Sequence, residues 1–358
     1  MAQGMTAASA IDDALLARVL GCFGHQMAHA GPLGSGLINR TFRAVTTAGE
    51  ALVLQQINPI FSPAIHDNVR AVTEHLAARG LMTPRIVPAT DGRPSADLGP
   101  DGIWRLMTFV VGATFDVATS PAQVHAAGHL VGRFHAALDD LRHEFVGLRT
   151  GVHDTERHLR ILREALAEHT GHRLAPEVLP LGRAILDAAG ALPPLPALPP
   201  RICHGDLKFN NLLFVGAEPP GRDQALCLVD LDTVGPMSLA HELGDAWRSW
   251  CNPHGEDRED ASFDLDVFTA SLAGYREGLG RSLSAGERQA LLLGVEWISL
   301  ELAARFAADA LRESYFGWDP KRFPGRGEHN LRRARSQWNL HRAAHETRAE
   351  RALRLGGE

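Results

Sequence analysis

His204-Gly205-Asp206-Leu207-Lys208-Phe209-Asn210-Asn211, with Leu228-Val229-Asp230-Leu231-Asp232 closing behind it, lies inside two short apolar runs, 201–214 and 225–232, joined by a polar turn at 218–223. Such a pair reads as a hairpin. Ahead of it, 192–200 (Leu-Pro-Pro-Leu-Pro-Ala-Leu-Pro-Pro) cannot continue a helix, because proline lacks the amide donor and clashes with the preceding turn. A hairpin set among helical segments makes little sense as packing alone. Asp and Asn readily bond their own backbone, so Asp206 and Asn211 taken singly could be turn formers. The joint presence of His, Gly, Asp and Asn between two strands favours a site.

Outward from this stretch the chain divides in two. Residues 11–28 read as an amphipathic helix carrying Ile11, Leu15, Leu16, Val19 and Leu20. A glycine-rich turn at 31–36 follows, then a strand over 37–46, a tight turn at 47–50 and a strand at 51–54. Val69, Val72 and Leu76 place a helix over 68–79, and 85–89 and 103–111 read as further strands. From Pro121 the period is helical, over 124–141, 156–169 and 176–189. The expectation is an α+β chain with a small antiparallel-sheet lobe at 1–110 and a larger, mainly helical lobe at 111–358.

Composition bounds the function. At 358 residues the chain is long enough for about two domains. A hydrophobic share of 45% with 22% charged residues describes an ordinary folded protein. The net charge of -6 supplies no basic field, so nucleic acid is not an expected partner. The opening residues carry no positive charge before Arg18 and no long apolar run, and no later segment reaches bilayer-spanning length, so a cytosolic protein with no membrane partner is expected. Cys22, Cys203, Cys227 and Cys251 form no CxxC pair and are expected as free thiols. His125, His129 and His135 are expected on a solvated or core-edge helix face rather than at a metal. Only two lysines exist, Lys208 and Lys321, so chemistry needing a lysine must use one of them.

The loop and the aspartate at the end of the next strand resemble the catalytic core shared by protein kinases and their small-molecule relatives. The His-Gly-Asp form is similar to the aminoglycoside phosphotransferase and choline kinase superfamily. Leu207 to Asn211, Val229 to Val234, and Gly244, Asp245 and Arg248 resemble the bacterial N-acetylhexosamine 1-kinases within it. So do Gly36-Leu37-Ile38-Asn39-Arg40-Thr41-Phe42, Leu54-Gln55-Gln56-Ile57-Asn58, Val152-His153-Asp154-Thr155 and Glu328-His329-Asn330-Leu331. The resemblance implies a bilobal protein-kinase-like fold and an ATP- and Mg2+-dependent kinase acting on a sugar or other hydroxylated acceptor, an aminoglycoside, choline or homoserine being the alternatives. A non-catalytic nucleotide-binding module and a histidine-based metallohydrolase are the competing classes.

Carried over residue by residue, the likeness makes Asp206 the base that takes the acceptor proton. Asn211 and Asp230 become the metal ligands, and Lys208 faces the transferred phosphate. The turn bearing Gly34, Gly36, Asn39 and Arg40 resembles the cover over the ATP phosphates, where missing side chains let amides approach an anion. Met107 and Phe109 fall at the adenine hinge, with Leu213 as apolar floor. One departure stands out. The third-strand lysine of the superfamily is Gln55 here, which leaves Glu74 without its usual partner, so that either Arg40 or Lys208 compensates the phosphate charge or the affinity for ATP is modest. In helix 287–311, Glu301, Arg305 and Asp309 form a polar stripe expected to line a cavity. The resemblance points to Arg305 for gripping acceptor, with Asp232 and Tyr315 as further candidates and Asp245, at a helix start, as a brace.

Overall fold

A computed structural model describes residues 11–34 and 38–357. Two compact units partition the chain, one of Met1–Val111 with Leu141–Leu148, the other of Gly112–Asp140 with Arg149–Glu358.

In the first unit, α1 (Asp13–Gly21) leads into β1 (Met27–Pro32), β2 (Arg40–Thr46) and β3 (Ala51–Gln56). Then come α2 (Ile65–Ala78), β4 (Ile86–Val87), β5 (Ala96–Asp97) and β6 (Ile103–Thr108). The strands pair antiparallel in the order β1-β2-β3-β6-β4, with β5 also on β6. The expected helix over 11–28 is thus too long. It stops at Gly21, Gly24 takes a φ of +78°, and Met27 already belongs to the sheet. Strand alternation puts Phe42, Ala44, Leu52, Leu54, Trp104 and Leu106 on one face, packed with Leu16, Val19 and Leu20 of α1. The other face carries Thr41, Val53, Gln55, Arg105 and Met107 by the same alternation.

The second unit is helical around two short hairpins. Its helices α3 (Pro121–Leu138), α4 (Thr155–Glu168) and α5 (Ala175–Ala191) precede β7 (Arg201–Cys203), β8 (Leu212–Phe214), β9 (Ala225–Leu228) and β10 (Gly235–Met237). After them run α6 (Leu239–Trp250), α7 (Leu265–Leu279), α8 (Ala285–Arg312), α9 (Arg326–Glu346) and α10 (Arg348–Gly356). β8 pairs with β9, as the two apolar runs predict, and β7 pairs with β10. Ser284 and Glu287 form a reciprocal capping box that starts α8. α8 is apolar nearly all round because α4, α5, α6 and α9 all pack on it. Among the described residues no helix is long and apolar enough to cross a membrane.

Candidate active site

The loop after β7 is held by one buried carboxylate. Glu242 of α6 accepts the backbone N–H of His204 at 2.7 Å on one oxygen and that of Gly205 at 2.9 Å on the other. His135 of α3 lies 3.3 Å from the same Glu242 and 3.1 Å from the Tyr275 hydroxyl. Burial pushes the Glu242 carboxyl up, but the hydrogen bond and charge of His135 hold it below the usual carboxylate range. His135 is therefore a core residue, not the solvated or core-edge group that its helix spacing suggested. His135, Cys203 and Glu242 are the one group of potential metal-binding side chains that the described residues bring together. Glu242 is already committed to the two amides.

Gly205 adopts a φ of +83°, and a Cβ there would meet the Thr233 carbonyl at 2.7 Å, so glycine is the residue this corner accepts. His204 reaches across to the Val229 carbonyl at 2.9 Å, and the Thr233 hydroxyl donates to the His204 carbonyl at 2.8 Å. The Asn211 amide nitrogen donates to the Asp206 carbonyl at 2.7 Å, and the Asn211 carbonyl accepts from Val229 N–H. These bonds tie the Asp206–Asn211 turn to the chain just before Asp230. Asp230 is left-handed, with φ 62° and ψ 58°, an uncommon state for a residue other than glycine. Asp232, in the short 3-10 turn that follows, is buried.

Lys208 places its ammonium 3.0 Å from the Asp206 carboxylate. Burial lowers its proton affinity, but Asp206, and behind it Asp245 and Glu256, raise it overall, so Lys208 is a cation at neutral pH. Asp245 lies in the middle of α6, not at a helix start as the sequence suggested, and is bonded to Arg248 at 2.9 Å. Arg248 in turn holds Glu256 at 2.6 Å. Burial pushes the Asp245 carboxyl up and Arg248 more than offsets it, keeping it ionised.

The stripe on α8 divides into two roles. Glu301 is fully buried and accepts from the Thr155 hydroxyl at 2.5 Å, with His153 at 3.3 Å and Arg305 at 3.7 Å. His153 stacks on His241 of α6, ring centroids 5.2 Å apart. Arg305 lies over the Phe316 ring, and Arg149 donates to the Tyr315 hydroxyl at 3.2 Å. Burial raises the Tyr315 phenol but the Arg149 guanidinium more than offsets it. Glu301, Arg305 and Tyr315 thus belong to a polar cluster with Arg149, His153 and His241. Asp309 does not line it. Its carboxylate is spent on the backbone N–H groups of Ser314, Tyr315 and Phe316 and on the Asn330 amide, at 2.8–2.9 Å.

The remaining candidates fall in the first unit except Leu213, which is buried in β8. Gly34 has a φ of +72°, and Gly36 lies outside the described residues. The Asn39 side-chain oxygen accepts Asn58 N–H at 3.0 Å, which ties Asn39 to the segment after β3. Arg40 shares its strand parity with Phe42 and Ala44. Met107 is buried opposite Val53, and the Arg43 guanidinium lies 5.1 Å from the Phe109 ring. Glu74 is exposed on α2.

Residues 29–281 match the family model described as the phosphotransferase enzyme family. The chain belongs to that family. Similar proteins include a homoserine kinase of Methylobacterium nodulans, 27% identical over 68% of this chain and 70% of its own. A homoserine kinase of Rhizobium etli is 30% identical over 61% of each chain. A solved amicoumacin kinase, described in complex with AMP-PNP, Ca2+ and Ami, is similar in fold at a TM-score of 0.61 and 13% identity, covering 92% of this chain and 93% of that one. Within this phosphotransferase-family chain, sequence reasoning assigned no role to Glu242, His241 or His153. Glu242 had one usable signal, an acidic residue between the apolar positions Ala240 and Leu243 of an amphipathic helix.

Proposed function

We propose that this family member is an ATP-dependent kinase that phosphorylates the hydroxyl of a small molecule, with Asp206 as base. The observation carrying this is the Asp206–Lys208–Asn211 turn, tied by Asn211 and His204 to the segment that presents Asp230. Asp206 takes the proton of the acceptor hydroxyl as its oxygen bonds the γ-phosphorus and the bond to ADP breaks. Lys208 offsets charge developing beside that carboxylate. The donor set suits a hard cation: the Asn211 nitrogen is occupied by the Asp206 carbonyl, which leaves its amide oxygen to join an Asp230 carboxylate oxygen. Mg2+ held there would neutralise phosphate charge. The amicoumacin kinase complex with a nucleotide analogue supports ATP as donor.

In this reading 1–110 is the nucleotide-binding lobe, through Gly34, Gly36, Asn39, Arg40, Met107 and Phe109. The catalytic and acceptor lobe is 111–358, with Leu213 as adenine floor and Asp232, Arg305 and Tyr315 toward the acceptor. An ATP-dependent enzyme fits a cytoplasmic setting. For the acceptor we carry the N-acetylhexosamine 1-kinase reading, supported by the motif likeness. Homoserine is the second reading, favoured by the two curated relatives and by the guanidiniums of Arg149 and Arg305, which both act on Tyr315 and would suit a carboxylate. Incubation with ATP, Mg2+ and a panel of N-acetylhexosamines, homoserine, amino alcohols and aminoglycosides, with 31P NMR of the product, separates them. An anomeric phosphate supports the sugar, and a homoserine phosphate ester overturns it. No acceptor-dependent ADP release with any member of the panel argues against the kinase reading itself.

A further inference from the structure

We propose that His241 of α6 contacts the acceptor and selects for a second hydroxyl or amide group at the end away from the reacting hydroxyl. The inference rests on the kinase reading and names a specificity determinant within its acceptor site.

α6 is a buried helix with one open face. All of its residues are buried except His241, Asp245 and Ser249, which are partly exposed. Their spacing of four sets them in one row, about 12 Å long at 1.5 Å per residue. Ser249 ends the row at the Asp206–Asn211 turn. Its hydroxyl accepts Phe209 N–H at 3.3 Å, and it lines a cavity of about 140 Å³ together with Lys208 and Asn210. Asp245 sits in the middle, where Lys208 and His153 both lower its proton affinity. His241 ends the row at the polar cluster of Glu301 and Arg305, with its ring stacked on His153. The open face therefore runs from the turn that carries the proposed base to the residues proposed for the acceptor.

The His241 ring is both reachable and uncommitted. Among the described residues neither of its nitrogens has a hydrogen-bond partner, and both keep access to solvent. His135, His153 and His158, by contrast, each spend a ring nitrogen on a protein partner. Polar atoms at that depth are costly unless water or a ligand meets them. Burial and the neighbouring His153 ring push His241 down to about 4, so at neutral pH it is an uncharged imidazole with one N–H donor and one acceptor. A hydroxyl or an amide group also donates and accepts, and so matches both. A carboxylate can use the donor alone and an ammonium the acceptor alone. The stack on His153, itself held by Glu301 at 3.3 Å, fixes where the imidazole points.

The test is steady-state ADP release by the full chain with ATP and Mg2+, using N-acetylglucosamine and N-acetylgalactosamine as acceptors and homoserine as the charged comparison. His241→Phe keeps a ring against His153 and loses both polar atoms. It should raise the sugar KM about tenfold, the scale of one or two lost hydrogen bonds, with ATP KM and kcat within about twofold. His241→Asn loses the ring but offers a donor and an acceptor, so its sugar KM should fall between those of wild type and His241→Phe, an order that a packing role would reverse. A sugar KM unchanged in His241→Phe, both KM values raised alike, or a higher sugar KM in His241→Asn than in His241→Phe would overturn the assignment. Should His241→Phe not fold, His241→Leu and His241→Asn decide by the same order. A wild type that turns over homoserine but neither sugar would overturn the selection for an uncharged group and leave the kinase reading standing. Turnover of none of the three would reject the kinase reading, and the assignment with it.

Discussion

Glu242 shows how one buried side chain fixes the loop that carries the proposed base. Both of its oxygens are occupied by amides of the His204-Gly205 corner, so the backbone ahead of Asp206 has one permitted path. Glu242→Gln keeps the size but swaps one acceptor for a donor that faces an N–H. The expected cost is about 1.5–3 kcal/mol of stability, the scale of a hydrogen bond to a charged group. A fall in kcat with KM values nearly unchanged should accompany it, because the base is displaced and the binding groups are not. Chemical denaturation and steady-state kinetics of the variant check both. The motif that carries the site, Asp206 through Asn211 and then Asp230, was legible in the sequence because its spacing is local. Glu242, His135 and Tyr275 were not, since their partnership joins α3, α6 and α7 and leaves no local pattern.

At the scale of elements, hydrophobic period located most strands and helices, and punctuation decided where it failed. The helix expected over 11–28 ends at Gly21 because Gly24 turns left-handed and Met27 enters the sheet. On α8 the four-residue spacing of Glu301, Arg305 and Asp309 was visible, but a spacing does not say what each residue meets. Asp309 anchors the segment after α8 by accepting three successive backbone N–H groups, and thereby positions Tyr315 and Phe316 next to Arg305. Asp309→Ala should cost about 3 kcal/mol, since it strips several donors of their partner at roughly 1 kcal/mol or more each. Acceptor KM should rise while ATP KM holds. Equal change in both KM values would contradict a role confined to that segment.

Over the whole molecule, several histidines bind a proton less readily than they do in the unfolded chain. Burial, with the neighbouring His153 ring, pushes His241 down to about 4, and burial also lowers His158, His329 and His341. An unfolded histidine binds its proton near 6.5. Between about pH 6.5 and 4 the unfolded chain therefore holds protons that the folded chain refuses, so stability falls as pH drops through that window and is full above it. His241→Gln should flatten the slope, as read from denaturation midpoints across the window. An unchanged slope would show that His241 does not titrate as its burial implies. Close helix contacts add a second molecule-wide constraint that composition concealed. Gly128 and Gly132 of α3 face Gly274 and Gly278 of α7, where any Cβ would strike the partner backbone.

If Asp206 is the base of a phosphoryl transfer from ATP, acceptor-dependent ADP release should separate wild type from Asp206→Asn with the acceptor found by the panel. Loss of a positioned general base is worth about 10²–10⁴ in rate. The kcat of Asp206→Asn should be at least 10²-fold lower with unchanged circular dichroism and ATP affinity, and a folded Asp206→Asn turning over at near wild-type rate would show that another group takes the proton.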